Sequence, residues 1–290
     1  MTEAAGQRKH SGLWTEALRR LRSNRLAVAC IVVLTAIVVL AVVGPALSPW
    51  AIDDIDWEYF PGPPTLAGAH WFGTDASGRD LFVRVLFGVR ISLLVALLAT
   101  AVSLLIGVTW GATAGYLGGR VDELMMRFVD VLYALPYMFF VIILTVLFGS
   151  NIFMIFIAIG AVGWLTMARI VRGQTLALRS REFVEAAVVA GVPTHRIIAR
   201  HVVPNVVGPV IVYATLTIPQ IILFESFLSF LGLGVQEPLT SLGKLIAEGA
   251  VEMETSPWML IIPGAFLAAM LFCFNFIGDG LRDALDPRDR

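Results

Sequence analysis

The sequence predicts an all-α, polytopic membrane protein with six transmembrane helices and with both its N- and C-termini in the cytoplasm. The first observation is composition: 58% of the 290 residues are hydrophobic, only 15% are charged, and the mean hydropathy is +0.82. A soluble domain carries roughly 25% charged residues. The second observation is a series of apolar runs long enough to cross a bilayer. The third is the unequal distribution of Lys and Arg among the segments that join them.

Residues 1–25 are predicted to form a cytoplasmic tail that ends in an amphipathic helix over 11–25. Apolar side chains recur on one face of this helix and four arginines lie around the other. We therefore expect an elbow helix on the inner membrane surface. The next apolar run, 26–47, has 22 residues and would rise about 33 Å as a helix. A signal-peptide core is shorter, so we predict the first span here.

Residues 48–90 are predicted to form an extracytoplasmic loop, because they hold four prolines and a cluster of acidic residues. Residues 91–280 are predicted to form a helical core, followed by a short charged tail over 281–290. The core's five further spans are expected at about 91–111, 127–148, 152–168, 206–231 and 258–277. The third contains Pro136, which we expect to be tolerated inside one spanning helix.

The second span carries Gly107, Gly111 and Gly115 at a spacing of four residues. Small residues at this spacing lie on one helical face and allow two helices to approach closely in lipid. We therefore expect a tight helix pair along this face.

The orientation follows from the excess of basic residues in cytoplasmic segments. With six spans and a cytoplasmic N-terminus, 17 of the 21 Lys and Arg residues lie inside. The remaining four, Arg79, Arg84, Arg90 and Lys244, lie outside. This bias predicts that both termini are cytoplasmic, together with the long polar segment 179–205.

That segment lies between spans four and five, and it is too charged to sit in lipid although it is rich in helix-forming residues. It carries Glu185, Ala186 and Ala187, followed by Gly191. A glycine at this place is typical of a helix end. We expect a short helix that offers a docking surface to a cytoplasmic partner.

The sequence lacks the motifs of an enzyme. It has no Gly-rich phosphate loop and no His-Glu-x-x-His, and no Cys/His cluster with metal-ligand spacing. Its two cysteines lie inside apolar runs, which argues against a disulfide framework. We therefore expect no cofactor, no metal and no nucleic-acid partner for this chain, and we expect the energy for any transport to come from another subunit.

Polar side chains inside predicted spans are candidates for a translocation path. Glu225 and Gln220 lie in the fifth span, Asn275 lies in the sixth, and Asp130 opens the third. The alternative for each is a hydrogen bond that packs one helix against another.

The segment 179–205 resembles the EAA loop of bacterial ABC importer permeases. The matching residues are Glu185-Ala186-Ala187, Gly191 four residues later, and a stretch ending His201-Val-Val-Pro204-Asn205. Residues 73–93, 225–236 and 274–288 resemble C-type permease subunits of the dipeptide/oligopeptide (and nickel) import family. The resemblance covers roughly residues 15–290. Leu242 and Glu237, both in the last external loop, depart from the family pattern.

The resemblance implies a type I importer with a MetI-like permease core in the bacterial plasma (inner) membrane. It implies a homologous second permease, two cytoplasmic ATP-binding subunits that hold ATP and Mg, and an extracytoplasmic peptide-binding protein. The residues implied in coupling to the ATPases are Glu185, Ala186, Ala187, Gly191, His201 and Pro204.

The favoured hypothesis is import of di- or oligopeptides. The same architecture could instead carry nickel, glutathione or an oligosaccharide. A secondary transporter would need an intramembrane Asp/Glu/His relay, and none of the four histidines lies within a predicted span. A membrane enzyme would need a reactive cluster near the bilayer surface, which the sequence does not show.

Overall fold

The computed structural model of the chain describes residues 13–148 and 152–285, and every regular element within these two ranges is a helix. In chain order the helices are α1 (Leu13–Ser23), α2 (Arg25–Val43), α3 (Leu81–Leu117), α4 (Gly119–Ala134), α5 (Tyr137–Phe148), α6 (Ile152–Arg179), α7 (Glu182–Val189), α8 (Thr194–Ile197), α9 (Val203–Phe230), α10 (Leu242–Val251) and α11 (Trp258–Leu285). The predicted elbow corresponds to α1. Residues 1–12, residues 149–151 between the third and fourth predicted spans, and residues 286–290 lie outside the described residues.

Five helices of the described ranges are long and apolar enough to cross a membrane, and a sixth span exists only if α4 and α5 count as one. These two helices are bent by 83° relative to each other. The structure therefore replaces the unbroken third span predicted over 127–148 with a broken pair. Pro136 is the cause, because its ring disfavours a helical conformation of the preceding residue. Leu135 accordingly has φ −75° and ψ 138°.

Two helices extend beyond the spans predicted from their apolar runs. The last ten residues of the predicted external loop, 81–90, join the second span in the single 37-residue helix α3. This helix begins where Asp80 accepts a hydrogen bond from the Val83 amide at 2.9 Å, which satisfies a free N–H at the helix start. Helix α6 continues past residue 168 to Arg179, because polar residues can prolong a helix after the apolar sequence has ended.

Helices α3 and α6 pack closely along the predicted glycine face. A methyl group added at Gly107 would lie 2.6 Å from Cβ of Met167, and one at Gly115 would lie 2.8 Å from the carbonyl oxygen of Arg172. Gly111 faces the Ala168 carbonyl in the same way. The predicted close helix pair is confirmed, and its partner is α6.

The loop predicted to lie outside is tied to the segment around α10 by ion pairs. Arg84, at the start of α3, is 2% exposed and binds both Asp75 and Glu248, the latter at 3.2 Å. Arg79 binds Asp75 at 2.8 Å and Glu237 at 3.1 Å. We call these five residues the outer clasp, because they join two loops that are distant in sequence.

Candidate functional site

Helix α7 forms within the polar segment that the sequence predicts as a docking surface. It starts after Arg181, whose backbone is extended and whose carbonyl accepts hydrogen bonds from the amides of Val184 and Glu185. Glu182 and Glu185 lie in the first turn, where negative side chains favour the positive end of the helix dipole. The predicted short helix is present, and it begins at Glu182.

The end of α7 is a Schellman turn centred on Gly191. The Val192 amide donates to the Ala187 carbonyl at 3.0 Å, and the Gly191 amide donates to the Val188 carbonyl at 3.0 Å. Gly191 has φ +73°, which a residue with a side chain adopts only at a cost. The prediction that Gly191 ends this helix is confirmed.

One face of α7 is anchored in the protein. Val184 is 1% exposed, and it belongs, with Ala187, to an apolar cluster that includes Ala112 of α3 and Val171 of α6. Val206 of α9 completes the same cluster. Three spanning helices, α3, α6 and α9, therefore contribute to the anchor of α7.

The opposite face of α7 is open and largely apolar. Phe183, Ala186 and Val188 are exposed, and Val189 is 90% exposed. Glu185 is also exposed and borders a groove between α7 and the end of α3. An exposed apolar patch with a charged rim is typical of a protein-protein contact.

His201 and Pro204 lie in the connection from α7 to α9. His201 belongs to a π-helical turn, Ile198–Val202, and its carbonyl accepts a hydrogen bond from the Asn205 side chain at 2.6 Å. Pro204 is exposed in the first turn of α9, where its missing N–H interrupts the regular helical hydrogen bonds. The segment Thr194–Phe230 is helical throughout, so α7 is linked to a span by only a short turn.

Glu225 is fully buried at the meeting point of α3, α9 and α10. Its carboxylate accepts hydrogen bonds from Ser92 at 3.0 Å and from Ser229 at 2.8 Å. Ser92 in turn accepts from the Leu242 amide at 3.2 Å, and Ser229 lies 3.2 Å from the Ser241 hydroxyl. This arrangement corresponds to the alternative stated for each polar candidate, a hydrogen bond that packs helices together. The carboxylate joins three elements inside the subunit.

Gln220 lies one turn and a half before Glu225 on α9 and is exposed in a cavity of about 320 Å³. The cavity lies at the bend between α4 and α5 and is bordered by α6 and α9. Asn275 lies on α11, outside the lining of this cavity, and its side chain donates to the Leu271 carbonyl of its own helix at 2.8 Å. The structure therefore does not bring the three intramembrane candidates together.

A charged groove between α4 and α6 was missed by the sequence analysis, except for Asp130. Arg172 binds Asp122 through two hydrogen bonds of 2.6 and 2.7 Å, and Arg169 binds Asp130 at 2.7 Å. The guanidinium of Arg169 also lies 4.0 Å from the ring centre of Tyr133. The sequence held a signal for this pairing. Acidic residues lie on one face of α4, and two arginines lie three positions apart on α6.

Comparison with known proteins agrees with this architecture. A family model described as binding-protein-dependent transport system inner membrane component matches residues 107–290. A second, described as the N-terminal TM domain of oligopeptide transport permease C, matches residues 12–64.

Several curated relatives are similar over nearly the whole chain. The chain is 58% identical over 278 residues to the oligopeptide transport system permease protein OppC of Haemophilus influenzae, which covers 96% of this chain and 89% of the relative. It is 57% identical over 278 residues to OppC of Escherichia coli, covering 96% of this chain and 92% of the relative. It is 46% identical over 276 residues to the dipeptide transport system permease protein DppC of Bacillus subtilis, covering 95% and 86%.

A solved structure shares the fold. It shows inward-facing conformations of the MetNI methionine ABC transporter, and it aligns with a TM-score of 0.55 and 14% identity over 69% of this chain and 94% of that one. The helical architecture is thus MetI-like. The family model covers more than half of the chain, and the two OppC relatives are 58% and 57% identical over 96% of it. The chain therefore belongs to the family of binding-protein-dependent transport system inner membrane components, the permease subunits of ABC importers.

Proposed function

We propose that this chain is one of two permease subunits in an ATP-driven importer of di- and oligopeptides. The printed names of the relatives, oligopeptide and dipeptide transport system permease proteins, support a peptide substrate over nickel, glutathione or an oligosaccharide. A homologous second permease completes the translocation path, and an extracytoplasmic binding protein delivers the peptide.

Two cytoplasmic ATPase subunits supply the energy and hold the ATP and Mg. The observation that carries this proposal is the open face of α7, with Glu185 at its rim and with an anchor in three spanning helices. The face fits a cleft on an ATPase subunit, where Glu185 pairs with a basic group. Small Ala186 allows the two surfaces to approach closely.

Coupling follows from the rigidity of this anchor. When the ATPase subunits close on ATP, they move α7 as a rigid body. The cluster around Val184 and Ala187 passes the movement to α3, α6 and α9. The short turn at Gly191 passes it to the helix that carries His201 and Pro204. The spans then tilt, and access to the path changes from the outer to the inner side. This scheme places both termini and α7 in the cytoplasm, as the distribution of Lys and Arg indicates.

The proposal is tested with the complete complex of both permeases, the ATPases and the binding protein in proteoliposomes. We expect Glu185→Lys to abolish ATP-dependent peptide uptake and to release the ATPase subunits during purification, while the chain still inserts in the membrane. Glu182→Lys is the matched control, because Glu182 is exposed in the same first turn. Normal uptake and normal ATPase retention with Glu185→Lys would refute the docking role of this residue.

The peptide substrate is tested separately in the unmodified complex. ATP-dependent uptake of labelled peptides is compared with uptake of nickel, glutathione and an oligosaccharide. Uptake of one of the last three without peptide uptake would overturn the substrate assignment and leave the coupling proposal standing.

A further inference from the structure

The cavity at the bend between α4 and α5 has no role in the coupling scheme. Its volume of about 320 Å³ falls in the range of small-molecule sites. Its polar lining comes from four separate helices, α4, α5, α6 and α9. The polar side chains that line it are Tyr133, Tyr137, Thr166, Tyr213, Thr217 and Gln220.

All of these polar groups are neutral. The lining holds no Asp, Glu, Lys, Arg or His side chain among the described residues. Hydroxyl and amide groups can both donate and accept hydrogen bonds, which is what the N–H and C=O groups of a peptide backbone require. A charged group would instead select ligands by the charge of their side chains.

Two side chains on α9 are well placed for such contacts. Gln220 is exposed and offers a carbonyl oxygen and an amide nitrogen to the cavity. The hydroxyl of Thr217 donates to the Tyr213 carbonyl of its own helix at 2.8 Å. Its lone pairs therefore remain to accept a hydrogen bond from a ligand N–H.

The cavity is followed along α4 by the charged groove. Tyr133 lines the cavity, and Arg169, which lies over the ring of Tyr133, lines the groove. The groove has a volume of about 880 Å³ and contains the ion pair between Arg169 and Asp130. The neutral cavity and the charged groove thus lie next to each other, with the ring of Tyr133 lining the first and Arg169 lining the second.

We propose that the neutral cavity at the α4–α5 bend binds the backbone of the transported peptide during its passage through the membrane. The contacts are hydrogen bonds with Gln220, with Thr217 as an acceptor, and with the tyrosine hydroxyls, so peptides of different side-chain charge are accepted alike. The volume holds a short stretch of the peptide at a time. This inference rests on the proposed function, because it assumes that the cargo is a peptide.

The test measures ATP-dependent uptake of tri-alanine by the complete reconstituted complex. We expect Gln220→Leu and Thr217→Val each to raise KM about three- to tenfold, since each removes one hydrogen bond to the ligand. Thr215→Val is the matched control. Thr215 also donates to its own helix, to the Ile211 carbonyl at 2.9 Å, but it lies outside the lining of the cavity. Its KM should equal that of the unmodified complex.

A second measurement does not depend on transport rate. The buried Cys30 and Cys273 are replaced by alanine, and Gln220→Cys is then labelled with a small maleimide. Tri-alanine should slow this labelling when the binding protein delivers it to the complex. Labelling of Thr215→Cys should be unaffected.

The outcomes distinguish failure of peptide import from failure of the cavity as the peptide site. If the unmodified complex takes up no peptide, the proposed function fails and the inference fails with it. If the unmodified complex takes up tri-alanine but Gln220→Leu and Thr217→Val leave KM unchanged, or tri-alanine leaves the labelling unchanged, the cavity is not the peptide site. An equal rise of KM with Thr215→Val would also overturn the inference.

Discussion

Arg172 on α6 binds Asp122 on α4 through two hydrogen bonds of 2.6 and 2.7 Å. The two residues are 50 positions apart in sequence, and their ion pair joins the two helices. It lines the charged groove, which also contains the ion pair between Arg169 and Asp130.

Arg172→Ala should destabilise the detergent-purified chain by about 1–3 kcal/mol, because bidentate and partly buried ion pairs are stronger than exposed ones. A double-mutant cycle with Asp122→Ala, followed by thermal unfolding, should give a coupling energy of at least about 1 kcal/mol. Arg127 and Glu123 form the matched control, since their ion pair of 2.9 Å is exposed on α4. Their coupling should be a few tenths of a kcal/mol, and equal values for the two pairs would contradict the prediction.

Gly191→Ala should loosen the end of α7 by about 1 kcal/mol through backbone strain alone, because Gly191 has φ +73° and an added methyl group meets no atom within 4 Å. In the complex we expect weaker retention of the ATPase subunits, measured by co-purification. Gly191→Asn should recover part of the loss, since asparagine tolerates this conformation better than alanine. The control is Gly208→Ala, in helical backbone with equally free space; it should retain the ATPases fully.

Gly111→Ala should separate α3 from α6, because the new methyl group would clash with the Ala168 carbonyl and with Cβ of Val171. We expect a loss of about 1–3 kcal/mol, the usual cost of overpacking, seen as a lower melting temperature. Gly173→Ala on α6 meets no atom within 4 Å and should leave the melting temperature unchanged or slightly raised. If both variants melt alike, close packing at Gly111 is not what stabilises the helix pair.

The outer clasp should respond to acid. Burial raises the pKa of Asp75, but the charges of Arg84 and Arg79 and hydrogen bonds from backbone amides outweigh this, so its pKa is lowered overall. A hydrogen bond from Arg79 also lowers the pKa of Glu237. A carboxylate whose pKa is lower in the folded state stabilises the folded chain. This stabilisation is fully present above the unfolded-state pKa of about 4, and it is lost as the pH falls through the pKa of the folded state.

Asp75→Asn should therefore cost about 3 kcal/mol at pH 7, because the buried Arg84 then keeps Glu248 as its one charged partner among the described residues. The difference in melting temperature between the variant and the unmodified chain should be constant from pH 7 to about pH 5. It should shrink steadily below about pH 4. A difference that stayed constant down to pH 3 would show that the charge of Asp75 is not what stabilises the clasp.

The sequence by itself determined the helical membrane architecture, the position of the polar segment before span five, and the end of α7 at Gly191. Each of these depends on neighbours along the chain. Hydropathy over about 20 residues predicts a span, and a glycine after a helical run predicts a Schellman turn. The glycine face of α3 was also visible in sequence, although its partner was not.

The tertiary structure decided the rest. It showed that the predicted third span is bent by 83° between α4 and α5, with Leu135 before Pro136 in an extended conformation. It enclosed Glu225 among serines, one of them 133 residues away in sequence, and left Gln220 at a cavity. Whether a polar side chain in a span faces a neighbouring helix or an open space depends on helices distant in sequence. Only the packed structure contains that information.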